Sequence, residues 1–281
     1  EVFLFDCGEG TQVSLRSLNL KWKKIGAILI SHTHADHVTG LPGMLMLSSQ
    51  VDRQEPLVII GPPRIREFVE ASRSTLEMYI NFDIEVREID NPREKQVVYE
   101  TEEYLIRSIP LRHSRTCVGY IFEERPRPGL FFPEQAEALG VPRGPMWSTL
   151  QGGESVRLDD GRSVEPGDVM GPERRGRKFS YVTDTLPIAS IAPEVSGSDL
   201  LICEGMFGRE FQETAYEKRH MTAADAAGIA REAGGVKKMG LIHYSPRYTN
   251  RDLKELLQEA RALFPNTVLT RDKMSFDIPY E

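Results

Sequence analysis

The sequence predicts a layered α/β fold in which helices cover the faces of sheets, and three observations predict it. Short apolar runs recur along the chain, helical patterns alternate with the later runs, and residues able to bind metal stand just past the ends of those runs. The strand-like runs are 1–6, 26–31, 57–60, 84–89, 104–109, 118–122, 179–183, 200–204, 239–242 and 267–270. Each is short and ends at polar or turn-forming residues. Residues 63–74 carry Ile65, Phe68 and Val69 at helical spacing. Residues 222–233 open on Thr222, with Asp225 at the position that returns a capping bond, and Asn250 is the expected cap of a helix over 252–264.

At 281 residues and 40% apolar content, the chain is long enough to bury a substantial core, and one large domain over 1–281 is expected. No run approaches the ~18 apolar residues of a membrane span, and no basic segment precedes an apolar one at the start. A soluble, cytoplasmic protein with no membrane association is therefore expected. Cys7, Cys117 and Cys203 are odd in number and lie in apolar contexts, which predicts buried free thiols. The net charge of -7 argues against generic attraction to nucleic acid, while leaving room for a local basic face.

Residues 124–178 interrupt the pattern with frequent Pro and Gly, as an inserted arm would. The arm holds nine Lys and Arg against nine Asp and Glu, so the rest of the chain carries the whole net charge. Gly8-Glu9-Gly10-Thr11-Gln12 is too short and wrongly spaced for a dinucleotide fingerprint, so no nucleotide cofactor is expected.

The chemistry concentrates at residues 32–37, His-Thr-His-Ala-Asp-His, directly after the apolar run 26–31. In an extended segment His32 and His34 point to one side, and Asp36 and His37 then turn toward a second position. His113, Asp184 and His243 each follow a strand-like run, and His220 precedes the helix signal at Thr222. Imidazoles from several strand ends, with a carboxylate able to bridge, are what a dinuclear metal site needs.

His32-x-His34-x-Asp36-His37, with Phe5-Asp6-Cys7-Gly8-Glu9-Gly10-Thr11-Gln12, resembles the metallo-β-lactamase superfamily and, within it, the ribonuclease Z family of tRNA 3′-processing endonucleases. Leu111-Arg112-His113, Tyr181-Val182-Thr183-Asp184-Thr185, Asp199-Leu200-Leu201 with Glu204, Arg219-His220-Met221-Thr222 and Ile242 to Tyr248 extend the likeness over nearly the whole chain. The resemblance implies a four-layer αβ/βα sandwich with two Zn²⁺ ions. One is held by His32, His34, His113 and Asp184, the other by Asp36, His37, Asp184 and His243, with Asp184 bridging. It further implies that Asp36 accepts a proton from the attacking water, that His220 donates to the departing 3′-oxygen, and that Glu204 orients His220. Members often read Glu-Ala-Thr where this chain has Glu204-Gly205-Met206, a departure that bears on the expected contact of Glu204 with His220.

The same resemblance makes the arm a flexible tRNA-binding exosite, with Arg143 in its Gly140 to Pro145 run, and it implies a homodimer acting on precursor tRNA. Arg125, Arg127, Arg174, Arg175, Arg177 and Lys178 lie near the arm's ends. Ser245, Arg247 and Thr249 are candidate phosphate contacts, and Asp6 and Glu9 candidate supports for the ligand histidines. Members of the family begin some tens of residues earlier with a further strand, so an uncovered sheet edge is expected here. Two rivals stand beside this reading: a small-molecule phosphodiesterase or arylsulfatase-like hydrolase on the same scaffold, and a non-catalytic RNA-binding or metal-storing relic.

Overall fold

Strands rich in Ile, Leu and Val with both faces apolar belong in the interior of a parallel sheet, and this chain places them there. A computed structural model describes residues 1–20, 22–51 and 53–280. The first sheet takes β1 (Val2–Phe5), β2 (Ile25–Leu29), β3 (Leu57–Gly61) and β4 (Ile84–Glu88) in that spatial order, all parallel. The second contains β5 (Gln96–Glu100), β6 (Tyr104–Arg112) and β7 (Thr116–Glu124). After a small hairpin whose strands have two residues each, β8 (Val156–Arg157) and β9 (Ser163–Val164), it continues with β10 (Lys178–Val182), β11 (Leu200–Glu204), β12 (Met239–Ile242) and β13 (Thr267–Leu269). Its order is β13-β12-β11-β10-β7-β6-β5, with β10 to β13 parallel.

Three apolar clusters fill the spaces between four layers. Ala27, Leu29 and Ile60 of the first sheet meet Ile106, Val118 and Tyr120 of the second. The outer face of the first sheet packs Ile28, Ile30 and Ile59 on Leu41, Met44 and Leu45 of the helix Leu41–Gln50, and on Ile65 and Val69 of the helix Ile65–Thr75. The outer face of the second packs Leu201, Cys203 and Leu241 on the alanine-rich helix Ala223–Ala233 and on Leu256 and Ala260 of the helix Asp252–Arg261. Each fully buried Leu or Ile contributes about 1.5–3 kcal/mol, so the layers are held mainly by these faces. Alanines on Ala223–Ala233 let that helix approach the sheet closely, and Thr222 and Asp225 exchange both bonds of a capping box at its start.

One expected cap differs. Arg251, not Asn250, precedes the helix Asp252–Arg261, and neither caps it by side chain. Thr249 and Asp252 bond reciprocally instead, the Thr249 amide and hydroxyl both donating to Asp252 Oδ2 at 2.8 Å. The three cysteines are buried free thiols. Among the described residues no helix is long and apolar enough to cross a membrane.

The chain folds into two units. The first, Glu1–Thr101, Leu105–Phe122 and Lys178–Ile278, contains the layers above. The second joins Glu123–Arg177 to Glu102–Tyr104 and Pro279–Glu281. It has an apolar core of its own, built from Ala136, Val141, Leu150, Val156, Leu158, Val164 and Val169. At its root the Glu124 amide donates to the Arg177 carbonyl at 2.9 Å, the Glu124 carboxylate accepts from Arg177 Nε, and the Tyr280 ring lies 3.6 and 4.0 Å from the guanidinium groups of Arg127 and Arg177.

Candidate metal centre

Parallel strands in register deliver their following residues to one end of the sheet. Val182 pairs with Cys203 and Glu204 with Ile242, so Asp184, Glu204 and His243 emerge side by side. From the first sheet, Phe5 pairs with Leu29, which brings Asp6 beside the Ser31 to His37 loop. There the loops interlock: Cys7 N donates to His37 O and Gly40 N to Cys7 O, both at 2.8 Å. A Cβ on Gly8 would lie 2.1 Å from Asp36 O, and one on Gly40 would lie 2.0 Å from Gly8 O, so this close approach requires glycine at both positions.

Two sets of donors result. His32 Nε2, His34 Nδ1, His113 Nε2 and Asp184 Oδ2 face one point. The nitrogens of His32 and His34 are 3.0 Å apart, those of His34 and His113 3.2 Å, and Asp184 Oδ2 is 3.6 and 3.8 Å from His32 and His113. Asp36 Oδ2, His37 Nε2 and His243 Nε2 face a second point, at 3.5 Å (Asp36 to His37) and 3.4 Å (Asp36 to His243). Asp184 reaches that set through Oδ2 at 3.6 Å from His37 and Oδ1 at 3.5 Å from His243. Four ligands at ~2.0–2.1 Å around one cation are spaced at ~3.3 Å from each other, which is close to these separations. Nε2 of His37 is buried with no hydrogen-bond partner, as a metal-facing nitrogen is. The residues present fit a pair of divalent cations sharing Asp184.

Outer partners set the tautomers. His37 Nδ1 donates to Asp6 Oδ2 at 2.7 Å and His113 Nδ1 to the Arg219 carbonyl at 2.9 Å. His32 Nδ1 lies 3.0 Å from Ser31 Oγ, which passes its own hydrogen to Asp6 Oδ2 at 2.9 Å. Each bond leaves the opposite nitrogen, Nε2, with its lone pair toward the donor cluster. Asp6 also accepts from the Ser31 amide and the Tyr181 hydroxyl. Asp6, Arg219 and His243 all have left-handed backbones, with φ of 57°, 59° and 62°. This costs ~1–2 kcal/mol per residue, and the bonds around the centre offset it.

Charge follows the same arrangement. Burial, reinforced by His37, pushes His32 down to about 2, so it stays neutral and able to ligate. Burial also lowers His37, but the carboxylates of Asp184 and Asp6 outweigh it and raise the ring to about 10, so without a cation Nε2 carries a proton, which a bound cation would displace. Burial raises Asp184, yet the surrounding histidines, His37 first, win and hold it well below the usual carboxylate range. Asp36 is held low chiefly by its bond to His243.

Beside the donors, His220 Nδ1 lies 3.1 and 3.2 Å from the two oxygens of Glu204. Its ring centroid is 4.9 Å from that of His113 and 5.4 Å from that of His243. Glu204 is fully buried and also accepts from the Thr185 amide. Burial, then the charge of Asp184, pushes its carboxyl well above the usual range, while burial lowers His220 to about 4. Gly205 is explained locally, since a Cβ there would lie 2.8 Å from Leu241 Cδ2 and 3.1 Å from Ala223 Cα.

Comparisons with known proteins show the family. A family model described as anti-Pycsar protein Apyc1 matches residues 1–125. Ribonuclease Z of Treponema denticola is 61% identical over 281 residues, covering 100% of this chain and 90% of its own length. The chain belongs to the ribonuclease Z family. Ribonuclease Z of Borrelia hermsii, also of this family, is 43% identical over 279 residues, covering 98% of this chain and 87% of its own. Among solved structures, human tRNase Z, short form, superposes with a TM-score of 0.67 at 23% identity, over 99% of this chain and 88% of that one. The metallo-β-lactamase fold protein YhfI from Bacillus subtilis superposes at 0.61 and 20%, over 96% and 84%. These likenesses show the metallo-β-lactamase fold.

Other residues that the sequence singled out for this ribonuclease Z family member are placed as follows. Glu9 is exposed and, among the described residues, makes no hydrogen bond or ion pair, so of the two expected supports only Asp6 reaches His37, with Ser31 Oγ 3.5 Å from the same nitrogen. Ser245 is buried and accepts from Arg247 Nε at 3.2 Å. The Arg247 guanidinium lies 4.5 Å from the Phe211 ring, in a recess of about 410 Å³ that also contains Glu210, Asp252, Glu255 and Glu259, an anionic setting for a phosphate contact. Thr249 is engaged in the helix cap described above. Arg143, in the second unit, is exposed, pairs with Glu137 and stacks on Trp147 at 5.6 Å. The sequence did not disclose Ser31, Tyr181 or the Arg219 carbonyl as supports: Tyr181 and Arg219 act on partners far along the chain, and Ser31, although it adjoins His32, links it to Asp6 only in the fold.

Proposed function

We propose that this chain is a metal-dependent endoribonuclease that removes the 3′ trailer from precursor tRNA and leaves a 3′-hydroxyl on the tRNA. The observation that carries the reading is the placement of His220, paired to Glu204, directly beside two donor sets that share Asp184. Two Zn²⁺ ions in those sets, held by His32, His34, His113 and Asp184 and by Asp36, His37, Asp184 and His243, would lower the pKa of water toward ~7 and offset charge on the phosphoryl oxygens.

The chain's own residues supply the rest. Asp36, exposed and ionised, offers its carboxylate as acceptor for the proton of the attacking water and orients it toward phosphorus. His220 gives a proton to the departing 3′-oxygen. Its pairing with Glu204 suits that role, because a proton shared by the buried pair leaves a hydrogen on Nε2 in both of its arrangements. With the proton on Glu204, the carboxyl donates to Nδ1 and the neutral ring carries its hydrogen on Nε2. With the proton on the ring, both nitrogens carry one. The second unit, with Arg143 and the arginines at its root, is the surface we assign to the folded tRNA body, through backbone contacts independent of sequence. A homodimer and a cytoplasmic location belong to the same reading.

The test is incubation of the zinc-loaded protein with a 3′-extended tRNA, followed by mapping of the cut and its end groups. A single cut at the trailer junction with a 3′-hydroxyl on the tRNA is expected. Turnover of small phosphodiesters with no cut in the tRNA precursor would favour the small-molecule hydrolase.

A further inference from the structure

A recess of about 290 Å³ opens next to the metal centre, lined by Thr33, Arg64, Glu67, Phe68, Ala71 and Arg115. Two of these walls are tied to the donors by the chain itself, Thr33 between His32 and His34, and Arg115 two residues beyond His113. The charges in the recess are not equally available. Arg64 is committed to Glu67, donating to its two oxygens at 2.8 and 3.1 Å. Arg115 is exposed and, among the described residues, its side chain makes no hydrogen bond, ion pair or ring contact. Arg64 and Glu67 cancel, so the recess presents one uncompensated guanidinium on a chain whose net charge is -7. Phe68, half-buried, gives the recess an apolar wall.

We propose that this recess binds the first trailer nucleotide, with Arg115 holding the phosphate that joins the first and second trailer nucleotides and Phe68 lying against the base or ribose. The direction is part of the proposal. His220 stands next to His113 at 4.9 Å and next to His243 at 5.4 Å and forms no wall of the recess, whose walls adjoin His34 through Thr33 and His113 through Arg115. This step rests on the reading above in which His220 meets the departing 3′-oxygen. The tRNA body then leaves on the His220 side, and the trailer runs past His34 to Arg115. A guanidinium with a free fork suits a phosphate, and an aromatic face accepts any base, so the subsite reads trailer length rather than sequence.

The experiment compares KM for precursor tRNAs carrying trailers of one, two and four nucleotides. For the unaltered protein, KM is expected to fall about tenfold from one nucleotide to two and to change little beyond, the size of one charge-assisted contact. In Arg115→Ala that fall shrinks below about twofold, Arg115→Lys restores part of it, and Arg115→Glu reverses it. The salt dependence of KM for the two-nucleotide trailer becomes shallower by about one ion in Arg115→Ala. An equal rise in KM for all three trailers in Arg115→Ala, or a fall left intact, overturns the subsite. Equal KM for all three trailers in the unaltered protein overturns it too, while leaving the trailer-removing activity standing. Failure of the unaltered protein to cut any of the three refutes that activity itself.

Discussion

Asp6 Oδ2 lies 2.7 Å from His37 Nδ1, across 31 residues of sequence, and the same carboxylate takes hydrogen bonds from the Ser31 amide and hydroxyl and from Tyr181. One side chain therefore fixes the ring of a ligand histidine and ties the ends of β1, β2 and β10 together. Asp6→Asn keeps the shape and removes the charge. Zinc titration of this variant is expected to show affinity for one of the two ions reduced about 10–100-fold, with activity recovering at higher zinc. Unchanged affinity for both ions would show that Asp6 only braces the fold.

The Glu204 and His220 pair acts on the proton rather than on the cations. His220→Ala is expected to lower kcat on a 3′-extended tRNA by about 10²–10⁴ while two equivalents of zinc remain bound. Loss of zinc from that variant would count instead for His220 as a ligand. The acid is competent while the pair keeps its proton, so the rate declines as pH rises through the titration of the pair. Burial is the largest of the influences that hold His220 at about 4. Without a carboxyl partner that can take or give the shared proton, Glu204→Gln should move this decline to lower pH, a shift readable in the pH profile of kcat.

How much of this was legible in the sequence depends on the range of the interaction. β11 and β12 occupy the residues expected, because each is an apolar run with turn residues at both ends. The strand expected over 26–31 stops as β2 at Leu29, since the Ser31 amide turns to Asp6 instead of continuing the ladder. The helix Leu41–Gln50 escaped the sequence reading because Pro42 and Gly43 look like breakers. Proline within the first turn sacrifices no internal hydrogen bond, and the helix is apolar on several sides because it lies against the first sheet. Within the centre, the ligands carry a local signature at 32–37, whereas Tyr181 and the Arg219 carbonyl meet Asp6 and His113 only through the tertiary fold, as does Ser31 in its bonds to Asp6. No spacing rule announces them.

The interlock of Gly8 with Asp36 and Gly40 gives a stability prediction. Gly40→Ala forces a Cβ to within 2.0 Å of Gly8 O and 2.8 Å of Cys7 O, so the Cys7 to Gly10 turn must move. Overpacking of this kind costs about 1–3 kcal/mol, and the displaced backbone belongs to the loop that aims Asp36 and His37. A lower melting temperature together with weaker zinc binding is expected from calorimetry and titration. A variant that melts and binds as the unaltered protein does would show that the loop has slack.

In the second unit, Arg177 holds Glu124 below the ordinary Glu value of 4.5, chiefly through their side-chain hydrogen bonds. A carboxyl with a depressed folded pKa contributes stability that is present above its unfolded value and is lost as pH falls through the folded one. Proteolysis within 123–177 should therefore accelerate below about pH 4.5, and Glu124→Gln should show the faster rate at neutral pH. A cleavage rate in Glu124→Gln matching the unaltered protein would assign the root's rigidity to the stacking of Arg127 and Arg177 on Tyr280.

Because Glu124 N and Arg177 O are 2.9 Å apart, the segment between them can be excised and its ends joined by a short glycine link without stretching the root. The donors and the Glu204 and His220 pair all belong to the other unit and keep their partners there. Removal of 125–176 is therefore expected to leave zinc content and hydrolysis of a small phosphodiester within about threefold, while cleavage of precursor tRNA falls by two or more orders of magnitude, as loss of a remote binding surface predicts. Parallel assays of the two substrates decide it. Equal loss of both would show that the excision damaged the centre, and retention of both would remove the arm from substrate recognition.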